Sequence, residues 1–307
     1  MGTILARALV REGHDVVVLS RGAPISAEWR TVPWDARNVE PSWTSELEAA
    51  DVVINLAGRS VNCRYTEANK REIMESRVES TRAVGEAVAN CTKPPRVWLQ
   101  ASTATIYAHR FDAPNDDVTG IIGGAEADAP EHWQFSTNVA KAWEAAALER
   151  SLPSTRLVLL RSSMIMNPDS GSIFATLQML ARLGLGGSAA GGKQFVSWIH
   201  EHDFVQSVLW LIANDAFAGP VAIASPNPLP YSEFMRELRH AVGMPIGLPA
   251  SQWMLEIGAL AMRSETELVL KSRRVVPTLL LRSGFTFRYP EWREAVAELV
   301  ERRGSSS

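Results

Sequence analysis

Two polar residues close the first strongly apolar segment of the chain. Residues 14–21 are rich in Val and end in Ser20 and Arg21, a pattern typical of a strand buried on both faces of a parallel sheet. In dinucleotide-binding folds, an acidic side chain at this position binds the ribose 2′-hydroxyl of NAD, whereas a basic one suits the 2′-phosphate of NADP. Arg21, with Ser20 as a further hydrogen-bonding group, therefore favours NADP over NAD. The alternative is that Arg21 is a solvated arginine at a strand end.

A second buried strand, over residues 51–58, ends in four residues that can meet a ligand, namely Asn55, Leu56, Ala57 and Gly58. Open parallel sheets bind ligands at the carboxyl ends of their strands. Small residues at such an end leave room for a ribose or a nicotinamide, so we expect these four residues to contact the cofactor. The alternative is that Ala57 and Gly58 only turn the chain.

Helices and strands alternate around these residues. Apolar spacing predicts helices over residues 2–12, 67–90 and 136–150 and strands over residues 96–103 and 156–161, whereas residues 24–43 are loop-like. This alternation predicts an α/β fold with a doubly wound, Rossmann-like parallel sheet. A strand and a glycine-rich turn should precede the first helix, and only Met1 and Gly2 stand there. We therefore expect the first strand of this sheet to be absent.

The regular alternation of strands and helices ends after residue 165, which indicates a smaller C-terminal α+β substrate lobe. We predict a Rossmann-like domain over residues 1–165 with a return segment at 196–224, and a lobe formed by residues 166–195 and 225–307. Within residues 196–307 the sequence predicts a strand at 220–224 and helices at 203–214, 231–242, 250–262 and 290–302.

Composition excludes several classes of function. The 307 residues carry 31 basic and 34 acidic side chains and a net charge of −3, with no basic stripe for nucleic acid. No apolar run reaches the ~20 residues that span a bilayer, so we expect no membrane partner. Cys63 and Cys91 lie far apart without CxxC spacing, which favours a reducing compartment, and the cytoplasm is the expected location.

Four sequence blocks, in this order, are similar to one known family. They are residues 55–58 (NLAG), 76–81 (SRVEST), 192–203 (GKQFVSWIH, then Asp203) and 276–287 (VP, then GFTF). Together they resemble the extended short-chain dehydrogenase/reductase superfamily and, within it, the "epimerase family protein" subgroup. This subgroup is NAD-dependent epimerase/dehydratase-like and carries a C-terminal domain of unknown function, here at about residues 248–302.

The glycine motif of this family, Gly-x-x-Gly-x-x-Gly, is represented only by Gly2. The glycines let the backbone approach the pyrophosphate, so the resemblance implies cofactor binding that is weakened by their loss. Either the start of the reading frame lies further upstream, or the protein is a truncated relative.

The resemblance also implies a set of catalytic residues. Thr103 matches the position that hydrogen-bonds the reacting hydroxyl or carbonyl, and Ser102 lies beside it in the cofactor region. Lys141 matches the lysine of the Tyr-x-x-x-Lys pair, but Thr137 occupies the tyrosine position. A threonine hydroxyl is far less acidic than a phenol and cannot replace it. Lys141 either orients the nicotinamide ribose or is a solvated helix lysine.

The segment around residue 198 closes the core beside the substrate cleft in the resembled family. Trp198, His200 and Gln194 are therefore candidate substrate residues, although a tryptophan is more often core. His200, His202 and Asp203 are not expected to bind a metal, because Asp203 suits the cap of the next helix and no distant ligand motif appears.

These observations predict an NADP-binding, epimerase- or oxidoreductase-like protein that acts on an unidentified small polar, nucleotide-sugar-like substrate. A homodimer is a possible assembly. The rival hypothesis is a non-catalytic dinucleotide sensor or scaffold, which the threonine at position 137 favours. A third hypothesis is that the chain folds poorly, because a missing strand leaves an open sheet edge.

Overall fold

The computed structural model describes residues 1–22, 26, 28–126, 130, 133–250 and 267–305. In this part of the chain the helices are α1 (Gly2–Arg11), α2 (Pro41–Thr44), α3 (Glu67–Asn90), α4 (Gln134–Leu148), α5 (Ile173–Arg182), α6 (Glu201–Ala213), α7 (Tyr231–Ala241), α8 (Glu267–Leu270), α9 (Thr278–Arg282) and α10 (Trp292–Ser305). The strands are β1 (Val17–Ser20), β2 (Arg30–Pro33), β3 (Val52–Asn55), β4 (Val97–Thr103), β5 (Asn115–Asp116), β6 (Arg156–Ser162), β7 (Met164–Met166), β8 (Phe195–Val196), β9 (Trp198–His200), β10 (Gly219–Ile223), β11 (Leu229–Pro230) and β12 (Val275–Val276).

A four-stranded parallel sheet with the order β10-β6-β4-β3 forms the centre of the molecule. Successive side chains along each strand point to opposite faces of the sheet, and each face is covered by a layer of helices. Val97 and Leu99 face the layer of α1 and α6, whereas Trp98 faces the layer of α3 and α4. Both faces are therefore covered, and the predicted doubly wound, Rossmann-like sheet is confirmed.

Strands β1 and β2 form a separate parallel pair. Among the described residues no strand is hydrogen-bonded between this pair and β3. Side chains hold the pair in place instead, since Val17 and Leu19 pack with Val53 in the core beneath α3. The chain reaches β1 through Gly13, whose φ of 84° ends α1 in a conformation that suits glycine.

A second core, rich in aromatic rings, lies between α7, α10 and β9. The rings of Phe234 in α7 and Trp292 in α10 are stacked with centroids 4.1 Å apart. The Trp292 indole N–H also donates to the carbonyl oxygen of Phe234 at 2.9 Å. Trp198 packs against the same indole, 4.9 Å between centroids, so β9 is anchored to the last helix.

Three local expectations need correction or lie outside the structure. The loop-like stretch 24–43 contains β2 and α2, because its apolar residues Val32 and Trp43 are buried against α3. Asp203 does not cap α6, since the helix already begins at Glu201 and His200 supplies the capping nitrogen. The helix predicted over residues 250–262 falls almost wholly outside the described residues, and the proposed division into domains stays a prediction.

No helix in the described ranges is both long and apolar enough to cross a membrane.

Asp203 provides the first testable prediction. Its buried carboxylate accepts the backbone N–H groups of Arg288 and Tyr289, both at 2.9 Å. Asp203→Ala leaves two partly buried N–H donors without their acceptor and should lower the free energy of unfolding by about 1–3 kcal/mol. Urea denaturation measures the loss, with exposed Glu294→Ala in α10 as the control. Equal effects of the two substitutions would contradict the prediction.

Candidate functional site

An open cleft of about 670 Å³ lies at the carboxyl ends of β1 and β3. Five predicted cofactor residues line it, and they are Ser20, Arg21, Leu56, Ala57 and Gly58. Residues 34–38, which follow β2, complete the wall together with Leu19 and Ser76. Its size is within the ~300–1,000 Å³ range of ligand pockets, and the edge is the one where open parallel sheets bind ligands.

Asn55 shapes this open cleft from below rather than lining it. Its buried side-chain amide donates to Gln100 Oε1 at 2.9 Å, while its Oδ1 accepts the backbone N–H of Ala57 at 3.0 Å. The turn after β3 is thereby fixed to the neighbouring strand. Gly58 then passes the Arg77 side chain so closely that an added Cβ would lie 3.2 Å from it.

The cationic groups of the open cleft are Arg21 and Arg37. Arg21 is exposed, and Arg37 pairs with Glu79 of α3 at 2.7 Å. Asp35 accepts the backbone N–H groups of Arg37 and Asn38, each at 2.9 Å, and these hydrogen bonds lower the pKa of its carboxyl group. Because the Asp35 carboxylate is engaged with its own loop, Arg21 can meet an anionic ligand.

The two other predicted cofactor residues in this part of the chain are Ser20 and Gly2. Ser20 Oγ accepts the backbone N–H of Gly22 at 3.1 Å and so shapes the turn after β1. Gly2 lies exposed in the first turn of α1, outside the residues that line the open cleft, and a Cβ there would meet nothing within 4 Å.

A second, small cavity lies between α4 and the C-terminal segment. Thr137 and Lys271 line it with Gly124, Glu126, Pro130, Trp133 and Gln134, and it holds about 10 Å³, roughly one water. We call it the lysine cavity. The Lys271 ammonium donates to Thr137 Oγ1 at 3.1 Å and to the carbonyl oxygen of Thr105 at 3.0 Å. The residue at the expected tyrosine position therefore contacts a lysine from a distant part of the sequence.

The environment of Lys271 destabilises its charged form relative to a lysine in water. The residue is 3% exposed, and burial, with the nearby charge of Arg273, lowers its pKa to about 8. The carboxylates of Glu267 and Glu126 act in the opposite direction. Lys271 Nζ lies 4.0 Å from Glu267 Oε1.

Lys141 and Thr103 lie near the lysine cavity; Lys141 is exposed and Thr103 is half-buried. Lys141 is exposed on α4, one turn after Thr137. Its Nζ lies 3.3 Å from the place that a Cβ on Gly124 would take, so glycine leaves room for the lysine. Thr103 ends β4, and its Oγ1 accepts the backbone N–H of Thr105 at 3.2 Å.

Ser102 belongs to a buried ionic network rather than to either cavity. Its hydroxyl donates to Glu144 Oε1 at 2.6 Å, and Arg161 forms a bidentate pair with the same carboxylate at 2.8 Å for each bond. Arg161 also donates to the Tyr107 hydroxyl at 3.2 Å, and burial raises the pKa of Tyr107 to about 12. This network joins α4 to β4 and β6.

The predicted substrate residues are buried and line neither cavity. His200 Nε2 lies 3.0 Å from Glu298 Oε2, and Nδ1 accepts the backbone N–H of His202, which assigns the ring proton to Nε2. Burial lowers the pKa of His200. Gln194 donates to the carbonyl oxygens of Ala189 and Val269. Trp198 lies in the aromatic core described above.

Metal coordination has no support in the described ranges, where no group of three or more His, Cys, Asp or Glu side chains is placed to hold an ion.

Comparison with known proteins identifies the family. Residues 1–223 match the NAD dependent epimerase/dehydratase family, and residues 250–299 match a domain of unknown function, DUF1731. The chain belongs to the NAD dependent epimerase/dehydratase family, which confirms the resemblance.

Its relatives match it along nearly their whole length. The chain is 28% identical to the epimerase family protein YfhF of Bacillus subtilis, over 99% of this chain and 95% of that protein. It is 29% identical to the epimerase family protein SDR39U1 of Bos taurus, over 98% and 96%. A crystal structure of human SDR39U1 (isoform 2) with NADPH superposes with a TM-score of 0.80 at 26% identity, over 98% of this chain and 95% of that one.

The buried pair of Glu144 and Arg161 gives a second prediction. Glu144→Gln leaves the guanidinium without a counter-charge in a site where both residues are under 10% exposed, and it should cost about 3–5 kcal/mol of unfolding free energy. Glu149→Gln, which breaks an exposed pair with Arg82, is the control and should cost less than about 1 kcal/mol. Chemical denaturation of both variants checks the difference, and equal losses would show that burial does not decide the effect.

The lowered pKa of Lys271 gives a third prediction. The folded protein releases this proton near pH 8, whereas the unfolded chain holds it to about pH 10.4. Between these values the unfolded chain binds more protons, so stability rises with pH. The unfolding free energy of the wild type should therefore rise relative to that of Lys271→Met across this interval. Urea titrations of both proteins at several pH values measure this difference in unfolding free energy. If the two free energies change in parallel with pH, the pKa of Lys271 is that of an ordinary lysine.

Proposed function

We propose that this protein binds NADP(H) in the open cleft and carries out an oxidoreductase- or epimerase-type reaction on a small polar substrate of the nucleotide-sugar kind. The observation that carries the proposal is the placement of Arg21 at the carboxyl end of β1, in the same cleft as Ala57 and Gly58. The NADPH in the human SDR39U1 structure supports the choice of cofactor.

The residues of the open cleft fit such a ligand in charge and in shape. Arg21 offers up to five N–H donors in a planar arrangement that matches phosphate oxygens, and Arg37 adds a second guanidinium. Asp35, the carboxylate of this wall, is engaged by backbone N–H groups and is a poor competitor for Arg21. Ala57, with only a methyl side chain, and Gly58, with none, leave space for the sugar.

The reaction itself would take place near α4. When bound, the nicotinamide supplies a hydride or accepts one. Thr103 and Lys141, at the end of β4 and on α4, are proposed to orient the substrate oxygen and the ribose. Thr137 is proposed to contribute as a hydrogen-bonding group, since its hydroxyl does not ionise near neutral pH.

A nucleotide-binding protein without turnover is the second candidate. The observation that favours it is the buried threonine hydroxyl of residue 137, in place of an ionisable phenol. Steady-state oxidation of NADPH with carbonyl substrates separates the candidates, because a sensor binds the nucleotide and oxidises none of it.

Arg21 provides the fourth prediction. Arg21→Ala should weaken NADPH binding about 10- to 100-fold, because a charge-assisted hydrogen bond to phosphate contributes about 1.5–3 kcal/mol, and should leave NADH binding nearly unchanged. Isothermal titration calorimetry with both nucleotides measures the difference, and exposed Arg11→Ala in α1 is the matched control. Equal weakening of NADPH and NADH would contradict the proposed phosphate contact.

A further inference from the structure

Lys271 is an ammonium group that the fold buries without a carboxylate at hydrogen-bond distance. Glu267 Oε1 lies 4.0 Å from its Nζ, and the acceptors in contact, Thr137 Oγ1 and the Thr105 carbonyl oxygen, are neutral. Burying a charged amine is costly unless it is paired, and perturbed lysines of this kind cluster at functional sites. Lys271 thus has one long ion pair and neutral hydrogen-bond partners, which is the kind of environment in which functional lysines occur.

The position of Lys271 is fixed by a dense set of hydrogen bonds around it. The next residue, Ser272, receives the backbone N–H of Phe195 and donates to the carbonyl oxygen of Arg110. Its own N–H donates to His109 Nδ1 at 2.8 Å. Ser136, next to Thr137, donates to Glu267 Oε2 at 2.6 Å. The ammonium is therefore held in place from both the segment that carries it and α4.

The lysine cavity leaves space for one oxygen-sized group beside this ammonium. Lys271 has three N–H donors, and two of them contact acceptors among the described residues. The cavity is about 10 Å³, so a carbonyl or hydroxyl oxygen of a ligand fits and a larger group does not.

The charges around Lys271 are balanced in a way that keeps it able to gain and lose a proton. Glu126 and Glu267 stabilise the ammonium, while Arg273 and Lys141 oppose it. Glu126 accepts the backbone N–H groups of His109 and Gly124, so it is held beside the cavity and is not free to form a close ion pair with Lys271.

We propose that Lys271, supplied by the segment that matches the domain of unknown function, is the residue that exchanges a proton with the oxygen of the substrate. As a carbonyl carbon gains a hydride, the electron pair of the C=O bond moves to oxygen, and this oxygen takes a proton from the Lys271 ammonium. The neutral amine then regains a proton from solvent. In the opposite direction the amine takes the proton of a hydroxyl group. Thr137 holds the amine by its hydrogen bond.

This inference rests on the proposed function for the source of the hydride, a dihydronicotinamide. The protonation of Lys271 is a property of the protein alone, and it agrees with the role, because a proton donor works best with a pKa near the operating pH and that of Lys271 is lowered to about 8.

The test compares Lys271→Met and Lys271→Arg with the wild type, and exposed Lys193→Met is the matched control. Lys271→Arg keeps a cation and hydrogen-bond donors but cannot release a proton, so it separates proton transfer from folding. Carbon-13 NMR of the lysine Cε atoms, assigned by the signal missing in Lys271→Arg, gives the pKa of Lys271. Oxidation of NADPH with 9,10-phenanthrenequinone and a panel of small aldehydes gives kcat and its pH profile, and calorimetry gives NADPH affinity.

We expect an NMR pKa near 8 for Lys271 in the wild type. In both Lys271 variants kcat should fall about 100-fold or more, while their affinity for NADPH stays that of the wild type. The control Lys193→Met should keep the wild-type kcat. The pH profile should lose the limb that belongs to Lys271, and added methylamine should restore part of the activity of Lys271→Met. An ordinary pKa, or variants that keep kcat and the pH profile, would overturn the role. A wild type that binds NADPH and reduces none of the probes would also overturn it, whereas a wild type that binds no NADPH would overturn the proposed function instead.

Discussion

The buried pair of Glu144 and Arg161 fixes the helix on which the candidate chemistry depends. Three hydrogen bonds reach the Glu144 carboxylate, one from Ser102 in β4 and two from Arg161 in β6. They hold α4 over the carboxyl edge of the sheet. Lys141 lies one turn and Thr137 two turns before Glu144 on the same helix, at spacings of three and seven residues. Without this pair only the packing of Val139, Trp143 and Ala147 would hold the helix against the sheet.

The same edge of the sheet carries both candidate regions. The open cleft lies where β1 and β3 end, and the lysine cavity lies beyond the end of β4, against α4. The C-terminal segment completes the second region, because Lys271 and Ser272 contact residues that precede them by more than 100 positions. Such contacts explain why the C-terminal domain accompanies the sheet in this chain.

The sequence predicted most of the sheet, because buried parallel strands are continuous apolar runs that few other structures share. It also predicted five residues of the open cleft, since they follow strand ends directly. The sequence did not predict β2, because its one buried apolar residue, Val32, stands among Trp, Pro and Arg residues. Arg37, which follows β2 and lines the open cleft, was missed for the same reason. Lys271 carried no signal, because its partner Thr137 is 134 residues away. Trp198, His200 and Ser102 lie in segments that resemble the family, and the fold uses them for packing and buried hydrogen bonds.

The most direct test is a crystal structure of the protein with NADPH. The account predicts the 2′-phosphate within about 3 Å of the Arg21 guanidinium, the ribose against Ala57 and Gly58, and the nicotinamide ring extending toward α4 and Lys271. A nucleotide whose 2′-phosphate lies away from Arg21, or whose nicotinamide points away from α4, would contradict it.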